Sequence, residues 1–299
     1  MRPEGIYPIL YAFFDARDRL NRAPMRAQVN ACIDSGAHGV AILGLITEVS
    51  ALSTAERRTV VEWVAEDIGG RVPLAVTIAG SSVAEATSLA LHAQNTGADW
   101  LILQPPLGAK PSGQALLRFF DQVMEKVQIP IGIQNVPEIL GIGLSTDEIV
   151  RLHRQHAHFT VMKGEGPVVA VKQYLDRLQG EVAVFNGRGG MELPDNLRAG
   201  CAGMIPAPDC ADHQIALFNA YKRGDQASVD TIYHRILPYV IFAMQRIDFH
   251  VVYGKRMFAN RIGLAGEPAH RFRDLAIEPF FLEAMHRWSV NLGPYRRQS

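Results

Sequence analysis

Short apolar runs recur along the chain, and segments with apolar residues three and four apart separate them. The runs are Ile6–Ala12, Gly39–Leu43, Leu74–Ile78, Trp100–Leu103, Ile131–Gln134, Phe159–Met162, Val182–Phe185 and Gly203–Ile205, and they read as strands. Helical patterns cover Thr54–Asp67, Val83–Gln94, Gly113–Val127, Thr146–His153 and Val168–Leu178. Ser53-Thr54-Ala55-Glu56 has the form of a capping box, and Ser145-Thr146-Asp147-Glu148 puts acids in a first turn. Gly97, Gly180 and Gly200 stand where helices end and a left-handed residue is wanted. Strands and helices in strict alternation predict a (β/α)8 TIM barrel. A doubly wound open sheet is the alternative, disfavoured because no glycine fingerprint follows the first strand. Beyond about Lys222 the strand signal stops, and Gln226–Arg246, Val251–Arg261 and Pro279–Val290 read as helices. The expected division is a barrel over 1–223 and a C-terminal helical extension over 224–299.

The most informative stretch is Phe159-Thr160-Val161-Met162-Lys163-Gly164-Glu165-Gly166. A β-branched, apolar run leads into a lone lysine, and glycines then end it. Such a lysine is held among apolar neighbours at a strand's C-terminal edge. Burial disfavours its charged form, so its pKa is expected to fall from the ordinary value near ~10.4. A neutral amine attacks ketones and forms Schiff bases. Glu165, two residues on, points to the same side if the strand continues. Amine and carboxylate on one face are a minimal set for iminium chemistry; the alternative is a structural salt bridge.

Barrels do their chemistry at the C-terminal ends of strands. The second strand ends in Leu43-Gly44-Leu45-Ile46-Thr47-Glu48, where Gly44 permits close approach of a ligand and Thr47 and Glu48 offer polar groups. Glu48 also suits a helix cap. The fifth strand ends in Gln134, a polar amide after an apolar run that needs partners. The seventh ends in Asn186-Gly187-Arg188-Gly189-Gly190, either an anion-holding loop or a flexible turn.

Composition narrows the class. Nearly half of the residues are apolar, enough for a sizeable core, and the formal net charge is zero. With no basic stretch interleaved with aromatics, a nucleic-acid partner is not expected. Cys32, Cys201 and Cys210 are scattered and odd in number, which fits a reducing cytoplasm and neither a disulfide framework nor a zinc site. Ile6–Phe14 reads as a strand, not a signal peptide, and no run is long enough to span a bilayer. A soluble, cytoplasmic protein is expected.

These motifs together resemble the dihydrodipicolinate synthase/N-acetylneuraminate lyase family of Schiff-base lyases. The resemblance spans nearly the whole chain. It rests on Gly44 and Glu48 in a Gly-Thr-Thr-Gly-Glu-like motif, on Asn135-Val136-Pro137, on Lys163 at the Schiff-base position, on Gly187, and on Gly203-Met204-Ile205. It implies a TIM barrel, a 2-keto acid substrate bound as an imine, a homotetramer or homodimer, and no metal or organic cofactor. It also implies that Gly44, Leu45, Ile46, Thr47, Gly187, Arg188 and Ile205 surround the substrate. The departures are informative. Leu45 and Ile46 stand where the family has two threonines, and Gln134 replaces its proton-passing tyrosine. Leu107 and Ile139 replace a tyrosine and an arginine of the synthases. Dihydrodipicolinate synthesis is therefore not expected. Within the family the pattern is similar to the 2-keto-3-deoxy-L-arabonate dehydratases, through Gln134, through Lys-x-Glu at the sixth strand, and through the Ile-Leu run before Glu48.

The reading that follows is a dehydratase or aldolase acting on a 2-keto-3-deoxy sugar acid. Lys163 forms the imine, Glu165 is the first choice for the C3 base and Glu48 the second, and Gln134 orients. A keto-acid-binding or regulatory protein without turnover is the alternative. His153, His156 and His158 precede the sixth strand and fall at the barrel's other face. His250, Tyr253 and Lys255 are expected to be packing and surface groups. Arg57-Arg58 and Arg296-Arg297 are expected to be solvated charge, and Trp63, Trp100 and Trp288 core or interface anchors.

Overall fold

The computed structural model describes residues 2–272 and 275–296. Eight parallel strands, β1 (Gly5–Ile6), β2 (Val40–Ile42), β3 (Leu74–Ile78), β4 (Trp100–Leu103), β5 (Ile131–Asn135), β6 (Val161–Gly164), β7 (Ala183–Asn186) and β8 (Gly203–Met204), pair in the order β1-β8-β7-β6-β5-β4-β3-β2. A bridge from Ile9 to Ala41, flanked by Leu10 N–H to Ala41 O at 2.9 Å and Ala41 N–H to Pro8 O at 3.0 Å, joins the first segment to β2. The sheet is thereby closed into a barrel, and the open-sheet alternative is excluded. Inside, the rings of Tyr7, Trp100 and Phe185 pack with centroids 5.3–5.4 Å apart. A barrel interior filled in this way is a core and not a pore.

The element boundaries differ from the expected ones for local reasons. Pro8 has no N–H, so β1 is short, yet Tyr7 N–H to Met204 O at 3.0 Å and Ile9 N–H to Pro206 O at 2.8 Å carry the pairing on. β6 lies two residues later than expected, and Phe159 keeps only a bridge to Ile131. Lys163 therefore belongs to the strand itself. Both capping boxes form, at Ser53 with Glu56 and at Ser145 with Glu148. Helix Arg22–Asp34 was not expected; Asn21 makes no side-chain cap, and its first turn carries no acid to mark it. Helices Leu193–Ala199 and Ala211–Lys222 complete the outer ring. Among the described residues no helix is long and apolar enough to cross a membrane.

The chain then runs through helix Gln226–Ala243, a π-helical turn at His250–Gly254, helix Lys255–Arg261 and helix Pro279–Leu292. These pack on one another through Ile236, Tyr239, Phe249, Tyr253 and Met285. Two ion pairs with fully buried side chains tie them to the barrel. Arg261 grips Asp212 with both Nη atoms, at 2.8 and 2.7 Å. Lys255 donates to Glu48 Oε1, while the Arg271 N–H donates to Oε2 at 2.6 Å. Burial pushes the Lys255 ammonium below its ordinary pKa, even against the pull of Glu48.

Several expectations are corrected here. Lys255, His250 and Tyr253 are not surface groups: all three are buried, because the extension folds back onto the strand ends. Arg57 is likewise buried, with Nη1 bonded to Ala79 O at 2.7 Å. Arg296 is exposed, as expected of solvated charge, while its backbone N–H donates to Asp212 Oδ2 at 3.0 Å; Arg297 lies outside the described residues. Trp100 is buried, and Trp63 and Trp288 pack partly buried against the two cores. His153, His156 and His158 bond separately to Glu181 at 2.8 Å, Asp121 at 2.8 Å and Met124 O at 3.1 Å.

The Glu48–Lys255 pair sets a stability test. Removing one member of a buried pair leaves the other charge uncompensated, at a cost of about 3–5 kcal/mol. Lys255→Met should lower unfolding stability in urea by about that much. The double variant with Glu48→Gln should recover a large part of the loss.

Candidate active site

Lys163 sits on β6 in register with Gln134 on β5 and Phe185 on β7. The Glu165 N–H donates to Asn135 O at 2.9 Å, so the β5–β6 ladder continues one step beyond the strand. Alternation then returns the Glu165 carboxylate to the lysine's side of the barrel. Lys163 Nζ and Glu165 Oε2 are 3.4 Å apart, and both side chains are buried. Gln134 Nε2 also donates to Glu165 Oε2, while Gln134 Oε1 finds no partner among the described residues.

Two neighbours hold this arrangement. A Cβ on Gly187 would lie 1.9 Å from Glu165 Oε1, so only glycine lets the carboxylate stand where it does. The Asn186 amide donates to Gly166 O at 2.9 Å and to Asn196 Oδ1 at 2.9 Å, and its Oδ1 accepts from Gly187 N–H at 2.7 Å. That amide locks the loops after β6 and β7 together around Glu165.

A partly open cavity of about 30 Å³ lies over Lys163. The turn Leu45–Thr47 after β2 contributes Leu45 and Ile46 to its wall. Gly44 underlies that turn, since a Cβ there would sit 2.2 Å from Ile9 Cδ1. Ile205 and Ala207 come from beyond β8, Ile139 from the turn after β5, and Arg188 from the loop after β7. Arg188 adopts φ 48°, a left-handed backbone that is uncommon outside glycine, and its Nη1 is 3.2 Å from Glu192. The extension supplies the far wall through Met244, Ile247 and His250. His250 Nε2 lies 2.7 Å from Asp209 Oδ2, which also accepts from the Tyr239 hydroxyl. Burial works to raise the Asp209 carboxyl, but the charge and hydrogen bond of His250 and the bonds from Tyr239 and the Cys210 N–H hold it below its ordinary value.

Of the expected site residues, Lys163, Glu165, Leu45, Ile46, Arg188 and Ile205 line one cavity. Gln134, Gly44 and Gly187 stand directly behind its wall. Two do not reach it. Thr47 is turned away, with its hydroxyl donating to Leu10 O at 2.7 Å. Glu48, the second choice for a base, has its carboxylate bound by Lys255 and the Arg271 amide, so its place is at the junction with the extension. The sequence reading set His250 aside as a packing or surface group and did not single out its partner Asp209. Asp209 falls just past the end of the last strand, where barrels carry function, and that position was the available signal. His250 had none, because 41 residues separate it from its partner.

Fold and cavity together define a (β/α)8 barrel with a buried lysine–carboxylate pair at the C-terminal mouth. The profile of the Dihydrodipicolinate synthetase family matches residues 2–271, and the chain belongs to that family. It is a lyase-type enzyme of that family. The 4-hydroxy-tetrahydrodipicolinate synthase of Methanopyrus kandleri is 28% identical over 239 residues, 79% of each chain. That of Bradyrhizobium diazoefficiens is 28% identical over 220 residues, 73% of this chain and 74% of its own. Among solved structures, YagE, a prophage protein of the dihydrodipicolinic acid synthase family from E. coli K12 in complex with pyruvate, superposes with a TM-score of 0.90. It shares 22% identity and covers 97% of this chain and 98% of its own.

The closeness of Gly187 to Glu165 makes a test of the carboxylate's placement. Gly187→Ala must push Glu165 aside, and a displacement of about 1 Å can cost about a hundredfold in rate. Deuterium exchange at C3 of pyruvate, followed by NMR, should slow by about that factor. Borohydride trapping of pyruvate on Lys163 should persist.

Proposed function

We propose that this protein is an imine-forming lyase that dehydrates or cleaves a short 2-keto-3-deoxy sugar acid. The observation that carries the reading is Lys163 Nζ 3.4 Å from Glu165 Oε2, both buried at the wall of a partly open cavity. The Lys163 amine adds to the C2 ketone; loss of water leaves a protonated imine, which draws electrons from C3. Glu165, beside the imine nitrogen, takes the C3 proton. Gln134 holds that carboxylate by its amide N–H and carries no proton itself. The amides of Leu45 and Ile46 open a short helical turn and so lack partners within it, which suits them to the substrate carboxylate.

The walls favour a short chain. Ile9, Leu45, Ile46, Ile139, Ile205 and Ile247 offer no hydrogen bonds, so the few hydroxyls of a five-carbon acid exhaust the polar groups present. Arg188 is the natural partner for the distal end. The names of the relatives favour a second reading, condensation of pyruvate with aspartate semialdehyde. Against it stands Ile139, an apolar side chain lining the cavity where that aldehyde's carboxylate would need a cation. A binding protein without turnover would gain nothing from a buried amine aligned with a carboxylate. The same reading makes the protein a cytoplasmic homodimer or homotetramer, for which the exposed Val169, Phe280 and Val290 supply apolar surface.

Pyruvate or a 2-keto-3-deoxypentonate with borohydride should add irreversibly to Lys163, as read by peptide mass spectrometry. Labelling that survives Lys163→Ala would remove the imine mechanism. Glu165→Gln should retain labelling but slow C3 exchange by about a hundredfold or more, the contribution typical of a general base. Condensation with aspartate semialdehyde should be absent or very slow, and brisk turnover of that pair would establish the second reading.

Arg188→Ala should chiefly raise KM for the pentonate, as the loss of uniform binding does. A collapse of kcat at unchanged KM would give the guanidinium a chemical role instead.

A further inference from the structure

Cleavage or dehydration at C4 moves two protons, one at C3 and one on the C4 oxygen. Resting on the imine reading, Lys163 is committed to C2 and Glu165 to C3. Of the other polar groups, Arg188 at the cavity offers only donors, and Gln134 behind its wall is an amide. Leu45 and Ile46 have no hydroxyl to offer. His250 is the remaining polar side chain there, and an imidazole has one nitrogen that can donate a proton and one that can accept it.

Its surroundings are those of a held acid–base group. The Asp209 carboxylate, kept ionised by its hydrogen bonds, can only accept, so the His250 nitrogen bonded to it, Nε2 at 2.7 Å, carries a hydrogen. The edge left for a substrate is then Nδ1, which is buried and has no partner among the described residues. The ring is positioned from three sides. Asp209 follows β8, Tyr239 comes from helix Gln226–Ala243, and Gly254 ends the π-helical turn that begins at His250. A Cβ on Gly254 would fall 2.6 Å from His250 Cδ2 and 2.8 Å from Asp209 Oδ2, so that glycine is what lets the dyad close. Turns of this kind recur at functional sites.

We propose that His250, held by Asp209, is the acid–base group for the C4 oxygen of the substrate. In dehydration, Glu165 takes the C3 proton and the C3–H electron pair forms the enamine. The enamine nitrogen then pushes its electrons back, C3=C4 forms, and the C4–O bond breaks. The departing oxygen takes its proton from His250 Nδ1 and leaves as water. In cleavage the direction reverses. Neutral Nδ1 takes the C4 hydroxyl proton, C4=O forms, and the C3–C4 pair becomes the enamine, which Glu165 then protonates at C3. Each route conserves protons once Glu165 and His250 exchange with solvent, and neither needs an oxidant.

The experiment compares wild type, His250→Gln and Asp209→Asn in three assays: borohydride labelling with pyruvate, C3 deuterium exchange of pyruvate, and turnover of 2-keto-3-deoxypentonates. The expected pattern for His250→Gln is labelling and C3 exchange near wild type, with kcat on the pentonate reduced about a hundredfold or more at little change in KM. Asp209→Asn should show the same split, and free imidazole should restore part of the turnover of His250→Ala. Unchanged kcat in His250→Gln overturns the inference, as does a rise in KM alone, which would make His250 a binding group. If His250→Gln also loses labelling, Asp209→Asn decides by the same criteria. Wild type that labels with pyruvate but leaves every pentonate untouched overturns the inference and spares the imine reading. Wild type that fails to label brings down the imine reading itself.

Discussion

A buried amine 3.4 Å from a buried carboxylate is the constraint around which this barrel is arranged. Neither charge is stable in an apolar chamber alone, and each needs the other or a hydrogen-bonded neighbour. The β5–β6 ladder supplies the geometry by running one residue past the formal strand end. Gly187 supplies the space and Gln134 the hydrogen bond. Asn186 fastens the two loops that would otherwise let the carboxylate drift. The chemistry of the site thus depends on backbone pairing and on one missing Cβ as much as on the reactive side chains.

The helical extension is part of the same construction. It closes the cavity with Met244, Ile247 and His250, and it is anchored by charges that water does not reach. Glu48 and Asp212, both from the barrel, are neutralised by Lys255 and Arg261 from the extension. Such pairs contribute less to net stability than their Coulomb attraction suggests, because both ions are desolvated. Their effect is on register: an unpaired ion here is so costly that the extension has one seat on the barrel. That seat places His250 against Asp209.

The differences from the family pattern all lie in one direction. Hydroxyls and a cation have given way to Leu45, Ile46, Gln134 and Ile139, three of which line the cavity directly. An apolar wall strengthens the few polar interactions that remain and selects against chains bearing many hydroxyls.

The alternation of strands and helices, the barrel it implies and the pairing of Lys163 with Glu165 were all legible in the sequence, because they depend on periods of two and 3.6 and on local chain direction. The capping boxes at Ser53 and Ser145 were legible for the same reason: their partners are three residues apart. The helix Arg22–Asp34 was not, since it carries none of the local start signals. The place of Glu48 was decided only by tertiary structure. Its spacing from the strand suited catalysis, but Lys255, 207 residues away, claims its carboxylate. The same holds for His250, which the pattern left among packing groups until the fold set it beside Asp209. Periodicity reports which face a residue occupies; which distant charge meets it there depends on how the chain returns. For this protein that return determined the far half of the site.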